Sequence, residues 1–438
     1  MLDRAKYDTY VRILKDELVP ALGCTEPIAI ALAAAKAREA LGEMPVHIRA
    51  ACSGNIIKNA KGVIVPTTGN MKGIDTSAVL GAVAGDPALG LEVLSRVTPA
   101  DLEETRRLLD EHICDVDLLD TPARLHILIE MKGKDHTALA EIRDEHTNVV
   151  RIERDGQRLF FKETEAVVES EESDLDELNL ADILEFANTV DLADVRPTLE
   201  RQVEYNTRIA QEGMTHVYGG RVGATLMRHY GGDVRIRARA MAAAGSDARM
   251  GGCVLPVIIN SGSGNQGITC SVPIWVYAKY LGAPDETMYR ALVVSNLVAL
   301  LQKRGIGRLS AFCGAVCAAC GSGAGITYLH GGDYETIGRT ITNTLANVSG
   351  IVCDGAKGSC AAKIAASVDA AILAHEMSMD GNTFGAGEGL VKESVEKTIA
   401  SIGRMAAFFT VVGDILALFA LQPGLFQCLT KGADDSAQ

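Results

Sequence analysis

The chain has 438 residues, 47% of them apolar and 22% charged, which suffices for a sizeable buried core and excludes a disordered polymer. It carries 42 basic against 56 acidic residues, a formal net charge of −14, and no basic block of the kind a nucleic-acid face requires. Its 44 glycines, alanine-rich C-terminal half and 5% aromatics point to closely packed helices of small residues. Met1–Lys6 lacks the apolar core of a signal peptide, so a cytoplasmic location is expected. In that reducing compartment the 11 cysteines are expected as buried thiols, metal or cluster ligands, or a reactive thiol, and not as disulfides.

Residues 8–40 read as helical. Tyr10, Leu14, Leu18 and Leu22 recur at helical spacing, and Ile28–Ala40 is alanine-rich. Between them, Gly23-Cys24-Thr25-Glu26-Pro27 marks a break; the proline suits the first turn of a second helix, with Cys24 or Thr25 near its N-cap. From about residue 45 the pattern changes. Strands at 46–50 and 62–65 flank a turn-rich segment, and helices follow near 76–84 and 99–113. Short strands are predicted around 124–131, 136–143, 147–153 and 157–161, with a turn at Asp155-Gly156. Residues 163–177 hold eight acids and read as a solvated boundary segment. Beyond it strand-like patterning is almost absent. The expected fold is α+β: a mainly helical domain formed by residues 1–44 and 175–438, with a smaller inserted α+β module at 45–174 built on a mainly antiparallel sheet. The uncharged runs Met250–Ala278 and Leu309–Leu329, interrupted by prolines or glycines, are expected as buried core and not as membrane spans.

The cysteine layout offers two clusters. Cys313, Cys317 and Cys320 match the CxxxCxxC spacing of radical enzymes that cleave S-adenosylmethionine. That motif belongs near the start of a βα barrel, whereas here the surroundings read as helix, on which the three form one buried stripe. The second set is Cys353-Asp354-Gly355-Ala356-Lys357-Gly358-Ser359-Cys360, where a glycine-rich turn lets two thiolates converge on a bulky cluster. A third thiolate would complete the site, and spacing alone does not choose Cys313 over Cys270, Cys317 or Cys320. Cys52, Cys114 and Cys253 read as core, and Cys428 lies near the C-terminus.

The loop Ser261-Gly262-Ser263-Gly264-Asn265-Gln266-Gly267 is rich in backbone donors, a loop type that holds carboxylates or phosphates. It mimics the Ser-Gly-Asn loop of pyridoxal-phosphate lyases. No lysine lies between Lys162 and Lys279 to form the Schiff base, so pyridoxal phosphate is not expected. Ser53-Gly54-Asn55-Ile56-Ile57-Lys58-Asn59 offers a lysine, but far too early. Gly321-Ser322-Gly323-Ala324-Gly325 lacks the preceding strand of a dinucleotide fingerprint, and there is no Walker A or HExxH pattern.

Gly23-Cys24-Thr25-Glu26-Pro27, Ser53–Asn59 and the set Cys313, Cys353 and Cys360, spaced by forty and then seven residues, resemble the L-cysteine desulfidase family. That family is related to the alpha chain of iron–sulfur L-serine dehydratases, and the similarity runs nearly the whole length. The resemblance implies one [4Fe-4S] cluster per chain on Cys313, Cys353 and Cys360, and Cys24 as the catalytic base. It implies conversion of L-cysteine and water to pyruvate, ammonia and hydrogen sulfide in the helical domain, with L-serine as the rival substrate. A non-enzymatic iron–sulfur protein is the third reading.

In that chemistry an open iron activates the leaving group. Cys24 acts as a thiolate, its pKa lowered by a helix N-terminus or a nearby cation. Glu26 orients Cys24 or the substrate. Candidate substrate contacts are Thr25, Ser53, Asn55, Lys58, Asn59, Ser263 and Asn265, with Lys357, Lys363 and Arg308 as further cations near the cluster. The expected partner is a small amino acid, with no nucleic acid and no membrane; apolar helices are compatible with a homodimer.

Overall fold

The computed structural model describes residues 2–123, 125–162, 174–307 and 310–421. The first helix, α1 (Arg4–Glu17), is capped by Asp3, whose side chain accepts from the Lys6 amide. It stops earlier than its apolar spacing predicts. Pro20 cannot continue a helix, and Pro20–Leu22 instead forms β1, which places Leu22 on a strand. Helix α2 (Thr25–Leu41) follows at once and is buried over almost its whole length.

β2 (His47–Cys52) leads into a short helix, α3 (Gly54–Ala60), where a turn-rich segment was expected. The predicted strand at 62–65 is reduced to a single bridge between Ile64 and Lys72. Next come α4 (Ile74–Ala84) and α5 (Pro99–Asp110), the latter started by a capping box between Thr98 and Asp101. Then β3 (Cys114–Leu118), β4 (His126–Lys132), β5 (Thr137–Arg143), β6 (Val149–Arg154) and β7 (Gln157–Phe161) complete a six-stranded sheet in the order β3-β2-β4-β5-β6-β7. All pairs are antiparallel except β2 with β3. The β6–β7 turn needs positive φ at two positions, and Asp155 (50°) and Gly156 (77°) supply it.

One face of β4 and β5 buries Ile127, Ile129, Met131, Ala138, Ala140 and Ile142. Helix α2 lies on that sheet and packs against α4 as well. The α4 approach is close enough that a Cβ on Gly81 would run into the Ala31 backbone.

The rest is a helical assembly: α6 (Leu180–Thr189), α7 (Leu192–Thr215), α8 (Val222–Tyr230), α9 (Val234–Met250), α10 (Gly264–Leu281), α11 (Asp285–Ile306), α12 (Gly314–Leu329), α13 (Tyr334–Val348), α14 (Cys360–Met379) and α15 (Val395–Leu421). A three-residue strand, β8 (Pro256–Ile258), pairs antiparallel with β1 and ties the N-terminus to it. Among the described residues no helix is long and apolar enough to cross a membrane. Residues 163–173 of the acidic stretch lie outside the described residues. Its end is not simply solvated: Asp174 pairs with Arg12 at 2.7 Å, and Arg304 donates to the Asp176 carbonyl at 3.0 Å.

α12 is the central helix, packed by α10, α11, α13 and α14. Its Gly321-Ser322-Gly323-Ala324-Gly325 run is a packing motif. A Cβ on Gly321 would strike the Ser295 carbonyl of α11, one on Gly325 would lie 2.8 Å from the Ala291 carbonyl, and one on Gly323 would lie 3.0 Å from the Ala371 side chain of α14. At the far end of α12, buried His375 meets the Thr327 hydroxyl at 2.9 Å and the His330 ring at 4.6 Å.

Two measurements test this packing. Gly321→Ala is expected to destabilise the chain by about 1–3 kcal/mol in urea unfolding, because the backbone of α11 must move. Burial, then the adjacent His330, push the His375 imidazole down to about 4. Unfolded histidine titrates near ~6.5, so the unfolded chain binds more protons below that pH, and stability falls as pH drops through this window. Between about pH 7 and about pH 5 the wild type should lose about 2 kcal/mol more than His375→Gln.

Candidate functional site

The Gly23-Cys24-Thr25-Glu26-Pro27 turn is built where β1 passes into α2. Gly23 has φ of 62°, and a Cβ there would enter the Pro66 ring, so only glycine fits. Its carbonyl accepts from Arg249 Nε at 2.9 Å. Cys24 is the N-cap of α2, in an extended conformation, and its thiol donates to Glu26 Oε2 at 3.1 Å. Asn59 Nδ2, from α3, donates to the other carboxylate oxygen at 2.9 Å. The Thr25 hydroxyl sits 2.9 Å from the Gly262 carbonyl and 3.1 Å from Glu26 Oε2. It therefore ties this turn to the 261–267 loop.

That loop is itself held from beneath. Asn206 clamps Ile258 by both its amide and its carbonyl, at 2.9 and 3.0 Å. Gln202, Asn296 and Asn260 form a buried amide chain below it.

Glu26 and Cys24 are both buried. Burial raises the Glu26 pKa, but the His146 charge, the Cys24 hydrogen bond, its own backbone N–H and Arg249 outweigh it and hold the carboxyl below its usual range. Burial, then the Glu26 charge, push the Cys24 thiol well above its ordinary value, against the pull of Arg249. The expectation of a lowered thiol pKa is thus reversed. The helix N-terminus is present, but a buried carboxylate stands on the sulfur.

Cys313 caps α12, and an antiparallel bridge between Phe312 and Val352 sets it beside Cys353. The Cys313 amide donates to the Ile351 carbonyl at 2.8 Å, and the Cys353 amide to Ala311 at 2.7 Å. Cys360 opens α14 after Gly355, whose φ of 97° and close approach to the Lys58 carbonyl leave no room for a side chain. All three line one cleft together with Cys24, Glu26, Asn59, Ser263 and Asn265.

Burial, then Cys353, push the Cys313 thiol up to about 12, and burial raises Cys360. Among the described residues no three such groups converge on a single ion. A cubane cluster asks for something else, since each thiolate binds its own iron and the sulfurs ring a body instead of meeting at a point. Three cysteines lining one cleft, presented by glycine-bearing turns, fit that demand.

Other predicted residues lie elsewhere. Ser53 is buried behind the sheet, its hydroxyl accepting from the His126 amide at 3.2 Å, and Asn55 is also off the cleft wall. Lys58 donates to the Ser310 carbonyl at 3.3 Å without lining the cleft. Lys357 and Lys363 are both engaged by Asp354. Cys317 and Cys320 are turned into the bundle, with Cys320 Sγ 3.8 Å from the Ile341 carbonyl. Arg308 and Cys428 lie outside the described residues.

Among the described residues the cations lining the cleft are instead Arg249 and Lys303, only 3% and 4% exposed, joined by Gln266 and Ser310. Sequence reading passed over them. The available signal was a basic residue closing a run of small or apolar residues: Arg249 at the end of Ala242–Met250, and Lys303, beside Arg304, at the end of Ala291–Ile306. His146, in the 144–148 connection between β5 and β6, was missed as well.

The family model of the serine dehydratase alpha chain matches residues 88–408, a span that holds Cys313, Cys353 and Cys360 and begins after Cys24. A UPF0597 protein of Lachnoclostridium phytofermentans is 58% identical over 400 residues, covering 91% of this chain and 96% of that relative. One from Desulfitobacterium hafniense is 52% identical over 399 residues, covering 91% and 93%. One from Treponema denticola is 50% identical over 414 residues, covering 93% and 96%.

The turn that carries Cys24 is open to a direct check. Gly23→Ala meets both a positive φ and the Pro66 ring. It is expected to cost about 1–3 kcal/mol of stability in urea unfolding.

Proposed function

The chain belongs to the serine dehydratase alpha chain family, and from that premise we propose that it is an iron–sulfur-dependent lyase that removes hydrogen sulfide from L-cysteine, leaving pyruvate and ammonia. The observation that carries this reading is the cleft in which Cys24, with Glu26 on its thiol, faces Cys313, Cys353 and Cys360.

Cys313, Cys353 and Cys360 would hold a [4Fe-4S] cluster and leave one iron without a protein thiolate. The chemistry supplied by such a cluster when bound is Lewis acidity toward the substrate sulfur, which makes it a better leaving group. The chain's own residues handle the proton. Cys24 Sγ takes the proton from the substrate Cα while its thiol proton passes along the existing hydrogen bond to Glu26 Oε2. The C–H electron pair becomes the Cα–Cβ double bond, and the Cβ–S bond breaks with its pair on sulfur. The Glu26 proton then neutralises the departing hydrosulfide. Aminoacrylate tautomerises and hydrolyses to pyruvate and ammonia without further help. Arg249 and Lys303 supply positive charge for the substrate carboxylate, in place of the Lys357 and Lys363 tied up by Asp354.

The match to the serine dehydratase alpha chain favours L-serine as a second candidate substrate, its hydroxyl leaving as water at the same site. Rates of sulfide release from L-cysteine and pyruvate release from L-serine separate the two.

Protein purified and reconstituted without oxygen is expected to hold about four irons and four acid-labile sulfides per chain. Cys24→Ala should keep the iron and lose about 10²–10⁴-fold in turnover. Cys353→Ala and Cys360→Ala should lose iron, whereas Cys317→Ala and Cys320→Ala should retain it. Absence of iron after reconstitution of the wild type would sink the assignment.

A further inference from the structure

Three side chains on the cleft wall carry an amide oxygen that is shut off from solvent and has no hydrogen-bond partner among the described residues: Asn59 Oδ1, Asn265 Oδ1 and Gln266 Oε1. Leaving one such acceptor unmet costs about 1–3 kcal/mol, so each of the three calls for a donor brought into the cleft. The Asn59 orientation is set by chemistry, because its nitrogen donates to the Glu26 carboxylate and its oxygen must face away. Gln266 is pressed against the residue after Cys313: a Cβ on Gly314 would lie 2.7 Å from both Gln266 Oε1 and Nε2. Asn265 stands beside it in the first turn of α10.

We infer that these three oxygens read the α-ammonium group of a free amino acid. An ammonium carries three N–H donors and no acceptor, which matches three unmet acceptor oxygens. A carboxylate or phosphate offers only acceptors, and a hydroxyl only one proton. The charges are arranged to suit. The Glu26 carboxylate stands behind Asn59, and the buried cations Arg249 and Lys303 line the same cleft, where they take the substrate carboxylate. The sequence offers Ser53, Asn55, Lys58 and Asn59, or the 261–267 loop, for the substrate carboxylate; the orphaned oxygens give Asn59, Asn265 and Gln266 the opposite end of the zwitterion. This subsite rests on the lyase reading for its choice of an amino-acid substrate.

The test uses the reconstituted protein and two probes without a leaving group, L-alanine and propionate, which differ by the ammonium. Isothermal titration is expected to show L-alanine binding about tenfold or more tighter than propionate. In Asn265→Leu and in Gln266→Leu that advantage should fall to within about twofold, with propionate affinity unchanged. Equal binding of the two probes by the wild type, an advantage that survives in both variants, or equal weakening of both probes would overturn the subsite. So would a potassium-dependent rise in melting temperature that L-alanine leaves unaltered, since carbonyl oxygens also suit a metal cation. Sulfide release from L-cysteine is measured in parallel. An alanine advantage without sulfide leaves the subsite standing and removes the reaction; sulfide without that advantage removes the subsite alone.

Discussion

Everything in the cleft depends on keeping one ionised carboxylate out of water. Glu26 is 8% exposed, and an unpaired carboxylate at that depth would take up a proton instead of staying charged. Its charge is kept by the Cys24 thiol, the Asn59 amide, its own backbone N–H and the neighbouring charges of His146 and Arg249. These groups arrive on α2, α3, the β5–β6 connection and α9. The sheet and the helical assembly therefore meet at a shared electrostatic requirement, and the sheet contributes a residue to the site's surroundings and not merely a platform for α2.

The small residues serve the same end. Gly81 lets α4 close on α2, Gly321 and Gly325 let α11 close on α12, and Gly23 lets Pro66 close on the turn before Cys24. At Gly81, Gly321 and Gly325 two backbones come nearer than any side chain permits, and at Gly23 the neighbour is the Pro66 ring. The abundance of glycine and scarcity of aromatics are two sides of one design, in which helices pack by backbone proximity.

Much of this was legible in the chain. Cysteine at a helix start, and paired cysteines on a glycine turn, are distinctive because few residue types bind iron or move protons. The strands of β4 and β5 were legible because their burial alternates. β3 was not: Cys-Asp-Val-Asp-Leu lies at the sheet edge with little buried on either face. The cations were misread for a physical reason. A lysine on the cysteine-bearing turn, such as Lys357 or Lys363, is free to turn outward to Asp354, whereas Arg249 and Lys303 sit near the ends of α9 and α11 and are buried at the cleft.

The pairing of β1 with β8 has a consequence for how the protein is made. It joins residues 20–22 to 256–258, and the cleft then adds Cys313, Cys353 and Cys360 from still later in the chain. Contacts of such sequence separation form only after the intervening chain exists. During synthesis the Cys24–Glu26 turn emerges first and waits, uncovered, for walls that are translated last. A chain interrupted before α14 would expose an apolar, thiol-bearing seam in place of a cleft. On the proposed reading, loading of iron is accordingly an event of the finished polypeptide, because the three cysteines that would hold it come together only after α14 is made.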